Sequence, residues 1–226
     1  MISRRNLIRW GVYILAFAAT TILGLLVGAV IFQSPGKNTI LDLQVASWVT
    51  SVRPDHPALT SVAKIVTRLG DFEIAGTIVA MIVVALLLAQ RQGSSRVDAE
   101  EAPFWLIVAI GGQLMNWCIK GLIRRDRPPM EGRIVEADFY SFPSGHGTFA
   151  GVSLMLAAMV MIRIWREHSR TRIVVGIALA TILAISVAAS RVWLGVHYAS
   201  DVIVGFSLGM IWAGLCHAIR FTRVAG

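Results

Sequence analysis

The 226-residue chain is 56% hydrophobic and only 15% charged, with a mean hydropathy of +0.69, well beyond the roughly half-apolar, about one-quarter-charged make-up of a soluble domain. That excludes a soluble globular enzyme and leaves a membrane protein. The formal net charge of +8 does not make it a nucleic-acid binder, because the basic residues come in ones to fours between apolar runs and not along one polar face.

Apolar runs of about 20 residues, enough to cross a hydrocarbon core as helices, recur along the chain. They predict an all-α, six-transmembrane helical bundle with spans near 10–32, 72–89, 104–123, 147–165, 173–189 and 199–219, all in one membrane-embedded domain. Span 1 follows Arg4, Arg5 and Arg9 and precedes the turn-forming Ser34-Pro35-Gly36. The basic start resembles a signal-peptide n-region, but the apolar run is too long for an h-region and no small-residue cleavage site follows, so an uncleaved first helix is expected. From 37 to 71 the chain is mixed. Its pattern, interrupted at Arg53-Pro54 and His56-Pro57, predicts one or two short interfacial helices between spans 1 and 2, with Trp48 at headgroup depth.

Asp98, Glu100, Glu101 and Pro103 before span 3 form a helix-start signature, acids at the positive dipole end and proline in the first turn. Span 3 ends with Asn116 and Lys120, followed by Arg124, Arg125, Asp126 and Arg127. Arg163, Arg166, Arg170 and Arg172 crowd the turn between spans 4 and 5, while Arg91 and Arg96 follow span 2 and Arg220 and Arg223 follow span 6. The positive-inside rule then puts both termini in the cytoplasm and is broken only by the basic cluster after span 3. Cys118 and Cys216 fall inside spans, towards opposite faces, and are expected to be reduced packing residues.

That topology brings three stretches to the outer face: residues 120–128 (KGLIRRDRP), 143–146 (PSGH) and 190–201 (SRVWLGVHYASD). Each sets charged or titratable groups at the end of an apolar run, where charge is costly unless something needs it. Lys120, Arg127 and Arg191 are permanent cations, with Arg124, Arg125 and Arg133 as possible extras. Forked guanidinium groups suit the oxygens of a phosphoryl group in transfer, and the other reading is that they snorkel to lipid headgroups. Ser144 and Gly145 precede a helix, where free N–H groups favour an anion; the plain alternative is a turn that caps span 4. His197 and Asp201 are four apart, so on a helix the carboxylate would hold one imidazole nitrogen protonated and free the other to attack. A metal pair or a buried hydrogen bond are the alternatives, and the cationic surroundings, without further ligands, disfavour the metal. His146, at a helix start, suits a proton donor to a leaving alkoxide. Two such histidines around a cationic clamp describe phosphoester hydrolysis through a phosphohistidine, with no metal or other cofactor.

The three stretches resemble the signature motifs of the type-2 phosphatidic acid phosphatase superfamily, K-x6-RP, PSGH and SR-x5-H-x3-D, with every signature position matched and in the usual order. The resemblance implies His197 as nucleophile, Asp201 as its partner, His146 as general acid, and Lys120, Arg127, Ser144, Gly145 and Arg191 as phosphate-binding residues. It further implies a lipid phosphate or diphosphate substrate, of undecaprenyl diphosphate, phosphatidylglycerol phosphate, phosphatidic acid or lipid A type. The six spans set the chain apart from the superfamily's soluble vanadium haloperoxidases. Arg124 and Arg125 add charge suited to a diphosphate or crowded headgroup. A phosphotransferase using another lipid as acceptor is the nearest variant, and a non-catalytic anionic-lipid binder or transporter is the alternative from another class. The short chain and loops suggest a bacterial plasma-membrane protein with its site facing the exterior.

Overall fold

Away from water a backbone N–H or C=O must be satisfied within its own segment, so a long apolar run becomes a helix. The computed structural model describes residues 4–33, 38–93, 98–165 and 169–222; the turn expected at Ser34-Pro35-Gly36, and Arg96, Arg166, His168 and Arg223, lie outside the described residues. Helix α1 (Arg4–Ile31) is followed by two short helices, α2 (Ile40–Val52) and α3 (Pro57–Thr67), then α4 (Phe72–Arg91), α5 (Glu101–Ile123), α6 (Gly145–Trp165), α7 (Arg170–Trp193) and α8 (Ala199–Phe221). Among the described residues six helices, α1 and α4 to α8, are long and apolar enough to cross a membrane. The six-span, all-α expectation therefore holds, with short helices α2 and α3 where interfacial ones were expected.

The helix ends follow their local chemistry. Thr39 and Asp42 form a reciprocal capping box at the start of α2, each side chain accepting the other's backbone N–H at 3.1 Å. Arg53-Pro54 opens the 3-10 turn Arg53–Asp55 that separates α2 from α3, and after His56 Pro57 takes the first position of α3. Along α2, Ile40, Leu41, Leu43 and Trp48 stay exposed, an apolar surface suited to lipid.

The core packs α5, α6 and α8 around Val108, Met115, Val152 and Trp212. The indole of Trp212 lies against Gly111 and Gly112 and donates to the Val108 carbonyl at 2.9 Å. At the bundle end away from the three motifs, the acids expected only to favour the start of α5 are cross-braces. Arg220 donates to Asp98 and Glu101, Arg163 to Glu101, and Arg9 to Glu100. These pairs tie the ends of α1, α6 and α8 to α5. Both cysteines are free, Cys216 buried and Cys118 exposed.

The tightest contact is between α6 and α8, where glycines recur four apart on both helices: Gly147 and Gly151, Gly205 and Gly209. A methyl on Gly205 would stand 2.5 Å from the Ser144 carbonyl oxygen, and one on Gly147 would stand 2.9 Å from that of Val202. Gly151 and Gly209 lie closer still, against the carbonyls of Phe206 and Thr148. Small residues at this spacing let two backbones approach where apolar burial alone gives no driving force. Their contact sets the start of α6 beside the start of α8, and the Ser144 N–H donates to the Asp201 carbonyl at 3.0 Å.

Gly209→Ala is expected to destabilise the bundle by about 1–3 kcal/mol through overpacking and to cut activity more than stability. Gly76→Ala, where an added methyl meets nothing within 4 Å, is expected to leave both unchanged. Thermal melts in detergent, run beside an activity assay, measure the contrast.

Candidate active site

The site assembles at the bundle end where α5 and α7 finish and α6 and α8 begin. His197 lies in the turn between α7 and α8 and not on a helix. Asp201 occupies the first turn of α8, where its carboxylate accepts the Tyr198 N–H at 2.9 Å. The i, i+4 pair therefore meets by way of a helix cap, with Nδ1 of His197 3.4 Å from Asp201 Oδ2. Ser141 bridges them. Its hydroxyl is 3.3 Å from Nδ1 and donates to the same carboxylate oxygen.

The other ring nitrogen, Nε2, lies 3.1 Å from Nη1 of Arg127. A guanidinium can only donate, so Nε2 must present its lone pair and the proton must sit on Nδ1, towards Ser141 and Asp201. Burial, and then the charges of Lys120, Arg127, Arg191 and His146, hold the His197 imidazole well below its ordinary pKa. Near neutral pH the ring is uncharged, with Nε2 as its nucleophilic atom.

Three buried or half-buried cations surround it, held by neutral acceptors. Lys120 donates to the carbonyls of Tyr140 (2.7 Å) and Ser141 (3.2 Å). Arg127 donates to those of Asp138, Phe139 and Val196, and Arg191 to the Thr67 hydroxyl at 2.8 Å. The buried Nε of Arg191 has no protein partner, a donor that costs about 1–3 kcal/mol unless an acceptor meets it. Among the described residues none of these three cations pairs with a carboxylate, so their positive charge is available to an anion.

Arg125 differs, and the expectation that it adds charge for a diphosphate is corrected here. It is 1% exposed and bridges two buried carboxylates, Asp201 Oδ1 and Asp42 Oδ2. It also donates to Ser200 Oγ, and its guanidinium lies between the rings of Phe32 and Tyr198 at 4.3 and 4.2 Å from their centroids. Burial opposes ionisation of Asp42, but the N–H groups of Ser200 and Thr39, with Arg125, outweigh it and lower its pKa. The charge of Arg125 is spent on holding Asp201, the partner of His197. Asp42 and Ser141 escaped the sequence reading, although a Thr-x-x-Asp box was legible at residues 39–42. Arg124 ends α5 in a left-handed conformation (φ 50°), its Nε donating to the Gly121 carbonyl. Arg133 Nε donates to the Pro128 carbonyl.

The PSGH stretch runs straight into α6, with Ser144 just ahead of its first residue. Ser144 Oγ accepts the Gly147 N–H at 3.3 Å, a cap that leaves its own proton to donate. Around Gly145 an added methyl would meet only Asn116 Oδ1, at 3.7 Å, so no protein atom demands glycine there. Asn116 fixes the stretch by donating to Pro143 O and Thr148 Oγ1. His146 points its Nε2 at Asp71, 3.1 Å away. Beside His197 a cavity of about 250 Å³ opens, lined by Val49, Arg53, Pro129 and Tyr198 among others. Among the described residues no three His, Cys, Asp or Glu side chains converge as metal ligands.

Residues 102–225 match the model of the PAP2 superfamily. The chain is 37% identical over 106 residues to phosphatidylglycerophosphatase B of Bacillus subtilis, a match covering 47% of this chain and 51% of that protein, so it spans about half of that relative's length. It is 31% identical over 174 residues to the decaprenylphosphoryl-5-phosphoribose phosphatase of Mycobacterium tuberculosis, covering 74% of this chain and 84% of the relative. The crystal structure of the first transmembrane PAP2-type phosphatidylglycerolphosphate phosphatase from Bacillus subtilis shares its fold, with a TM-score of 0.74 at 24% identity over 92% of this chain and 98% of that one.

Arg125→Ala would strand two buried carboxylates, and removing one partner of a buried ion pair typically costs about 3–5 kcal/mol. A correspondingly large fall in melting temperature is expected for the purified protein. A melt within a degree of wild type would show that Arg125 does not hold the site together.

Proposed function

The chain belongs to the PAP2 superfamily, and on that premise we propose that it is a membrane lipid phosphatase removing a phosphate from a lipid phosphate or diphosphate through a phosphohistidine, without a metal. The observation that carries the reading is the state of His197: uncharged, with Nδ1 directed at Asp201 and Nε2 presenting its lone pair under Arg127. The relatives named as a phosphatidylglycerophosphatase and a decaprenylphosphoryl-5-phosphoribose phosphatase, with a dolichyldiphosphatase of Saccharomyces cerevisiae among the further matches, support a lipid phosphate or diphosphate as the substrate class.

In this mechanism Lys120, Arg127 and Arg191, with the Ser144 hydroxyl and the backbone at Gly145, bind the phosphoryl oxygens. The guanidinium of Arg127, which rests against Nε2, transfers its hydrogen bond to an incoming oxygen and frees the nucleophile. Nε2 attacks phosphorus, the bond to the lipid oxygen breaks, and His146 protonates the departing alkoxide. Asp201 and Ser141 keep the Nδ1 proton in place and stabilise the charge that grows on the ring. Water, losing a proton to His146, then displaces the phosphate from His197. The cations offset charge that spreads over three equatorial oxygens during transfer, and their neutral partners leave that charge undivided.

The basic flanks of α1, α4, α6 and α8 support cytoplasmic termini and a site facing the exterior of a bacterial plasma membrane. The whole chain forms one lipid phosphatase domain in this reading.

Purified wild type, assayed in detergent with EDTA, is expected to release phosphate from at least one of undecaprenyl diphosphate, phosphatidylglycerol phosphate, phosphatidic acid and lipid A. His197→Ala should release none while retaining the wild-type melt; near wild-type turnover in that variant would refute the nucleophile. Activity lost in EDTA and restored by a divalent ion would refute the metal-free mechanism. A single cysteine introduced between residues 128 and 142 should react with a membrane-impermeant maleimide from outside intact cells, and protection there would reverse the orientation.

A further inference from the structure

The proton donor of this mechanism sits among like charges. Lys120, Arg127 and Arg191 all bear on His146, and an imidazolium among three cations needs an anion against it. The structure supplies one from outside the three motifs. Asp71, at the corner between α3 and α4, places Oδ1 3.1 Å from Nε2 of His146.

Asp71 stands at the N-cap of α4 with extended backbone (φ −67°, ψ 141°), the usual position and conformation of an aspartate that caps its own helix. Yet its side chain makes no cap hydrogen bond. The carboxylate forgoes that bond and meets the imidazole instead. The preceding residue completes the seat, since Gly70 is buried against the ring, where an added methyl would stand 2.5 Å from Cδ2 and 3.0 Å from Cγ of His146. Thr67, one turn earlier, holds Arg191. The corner thus orients one phosphate-binding cation and the ring of the acid together.

We propose that Asp71 is a positioning residue for the general acid: its carboxylate fixes the orientation of the His146 imidazole and opposes the positive charge of its protonated form. The inference rests on the reading of His146 as proton donor. As the Nε2–P bond to His197 forms and the P–O bond breaks, the electron pair stays on the lipid oxygen, which takes a proton from the His146 imidazolium. Asp71 then faces a neutral ring. In the second step that ring takes a proton from the attacking water, the N–P bond breaks with its pair returning to His197, and Asp71 again faces an imidazolium. Asp71 itself neither gains nor loses a proton.

A donor matters only when the leaving group is a poor one, which separates this role from a structural one. The test compares kcat/KM, which reports the steps through loss of the leaving group, for dodecyl phosphate and for the phosphate ester of a nitrophenol bearing a dodecyl chain. The full-length protein in detergent is used as wild type, Asp71→Asn, Gly70→Ala, His146→Ala and the Asp71→Asn/His146→Ala double variant. Asp71→Asn is expected to lose about 100-fold on the alkyl ester, the lower end of general-acid contributions, and less than about 3-fold on the aryl ester, whose leaving group needs no proton. Gly70→Ala, which displaces the ring and keeps the carboxylate, should show the same selectivity. In the His146→Ala background Asp71→Asn should cost nothing further. Equal losses on both esters, no loss on either, or additive losses in the double variant would each overturn the role of Asp71. A wild type inactive on both esters, or a His146→Ala variant without leaving-group selectivity, would instead overturn the underlying reading of the site and this inference with it.

Discussion

The close backbone contact between α6 and α8 is the constraint on which the site depends. Four glycines bring the two helices together until the Ser144 N–H reaches the Asp201 carbonyl. Helix starts point free N–H groups and the positive dipole end outward, so pairing two of them beside each other concentrates that potential at one place. It also fixes the distance between the two histidine-bearing segments. A side chain at any of the four positions would push those segments apart.

A second principle governs the charges. Buried cations are costly, and the usual remedy is a carboxylate. The protein uses that remedy for Arg125, whose bonds to Asp42 and Asp201 make it a brace. Lys120, Arg127 and Arg191 are given backbone carbonyls and a hydroxyl instead. Neutral acceptors orient a cation without a direct ion pair, which leaves its charge open to an anion. The opposite end of the bundle shows the contrast, for there Arg220, Arg163 and Arg9 are all paired with acids and hold helices together.

The region before residue 102, where the superfamily match begins, contributes more than membrane spans. Helix α2 brings Asp42 to Arg125 and Ser200, and the α3–α4 corner brings Thr67 to Arg191 and Asp71 to His146. The short helices thus supply a supporting layer that orients side chains supplied by α5 to α8.

The sequence by itself determined the helices and the inventory of the site. Hydropathy over windows of about 20 residues located all six spans to within a few residues, because a hydrocarbon core imposes helix on any long apolar run. The motifs singled out the histidines and cations of the candidate site, since such groups beside apolar runs are too costly to be incidental. Apart from the His197–Asp201 pair, what it left open was the partner of each polar group. The glycine spacing on α6 and α8 was legible, but which glycines face each other depends on how the helices rotate and cross. Arg125 and Arg127 stand two apart in one cationic run, and only packing turns the first inward to two carboxylates and leaves the second on His197. Nothing near Asp71 in the sequence marks it; its partner appears only where the fold brings His146 within 3.1 Å of it. Local chemistry is written in neighbouring residues, whereas ion-pair partners 75 or more positions apart, as for Asp71 and His146 or Arg125 and Asp201, exist only once the bundle has closed.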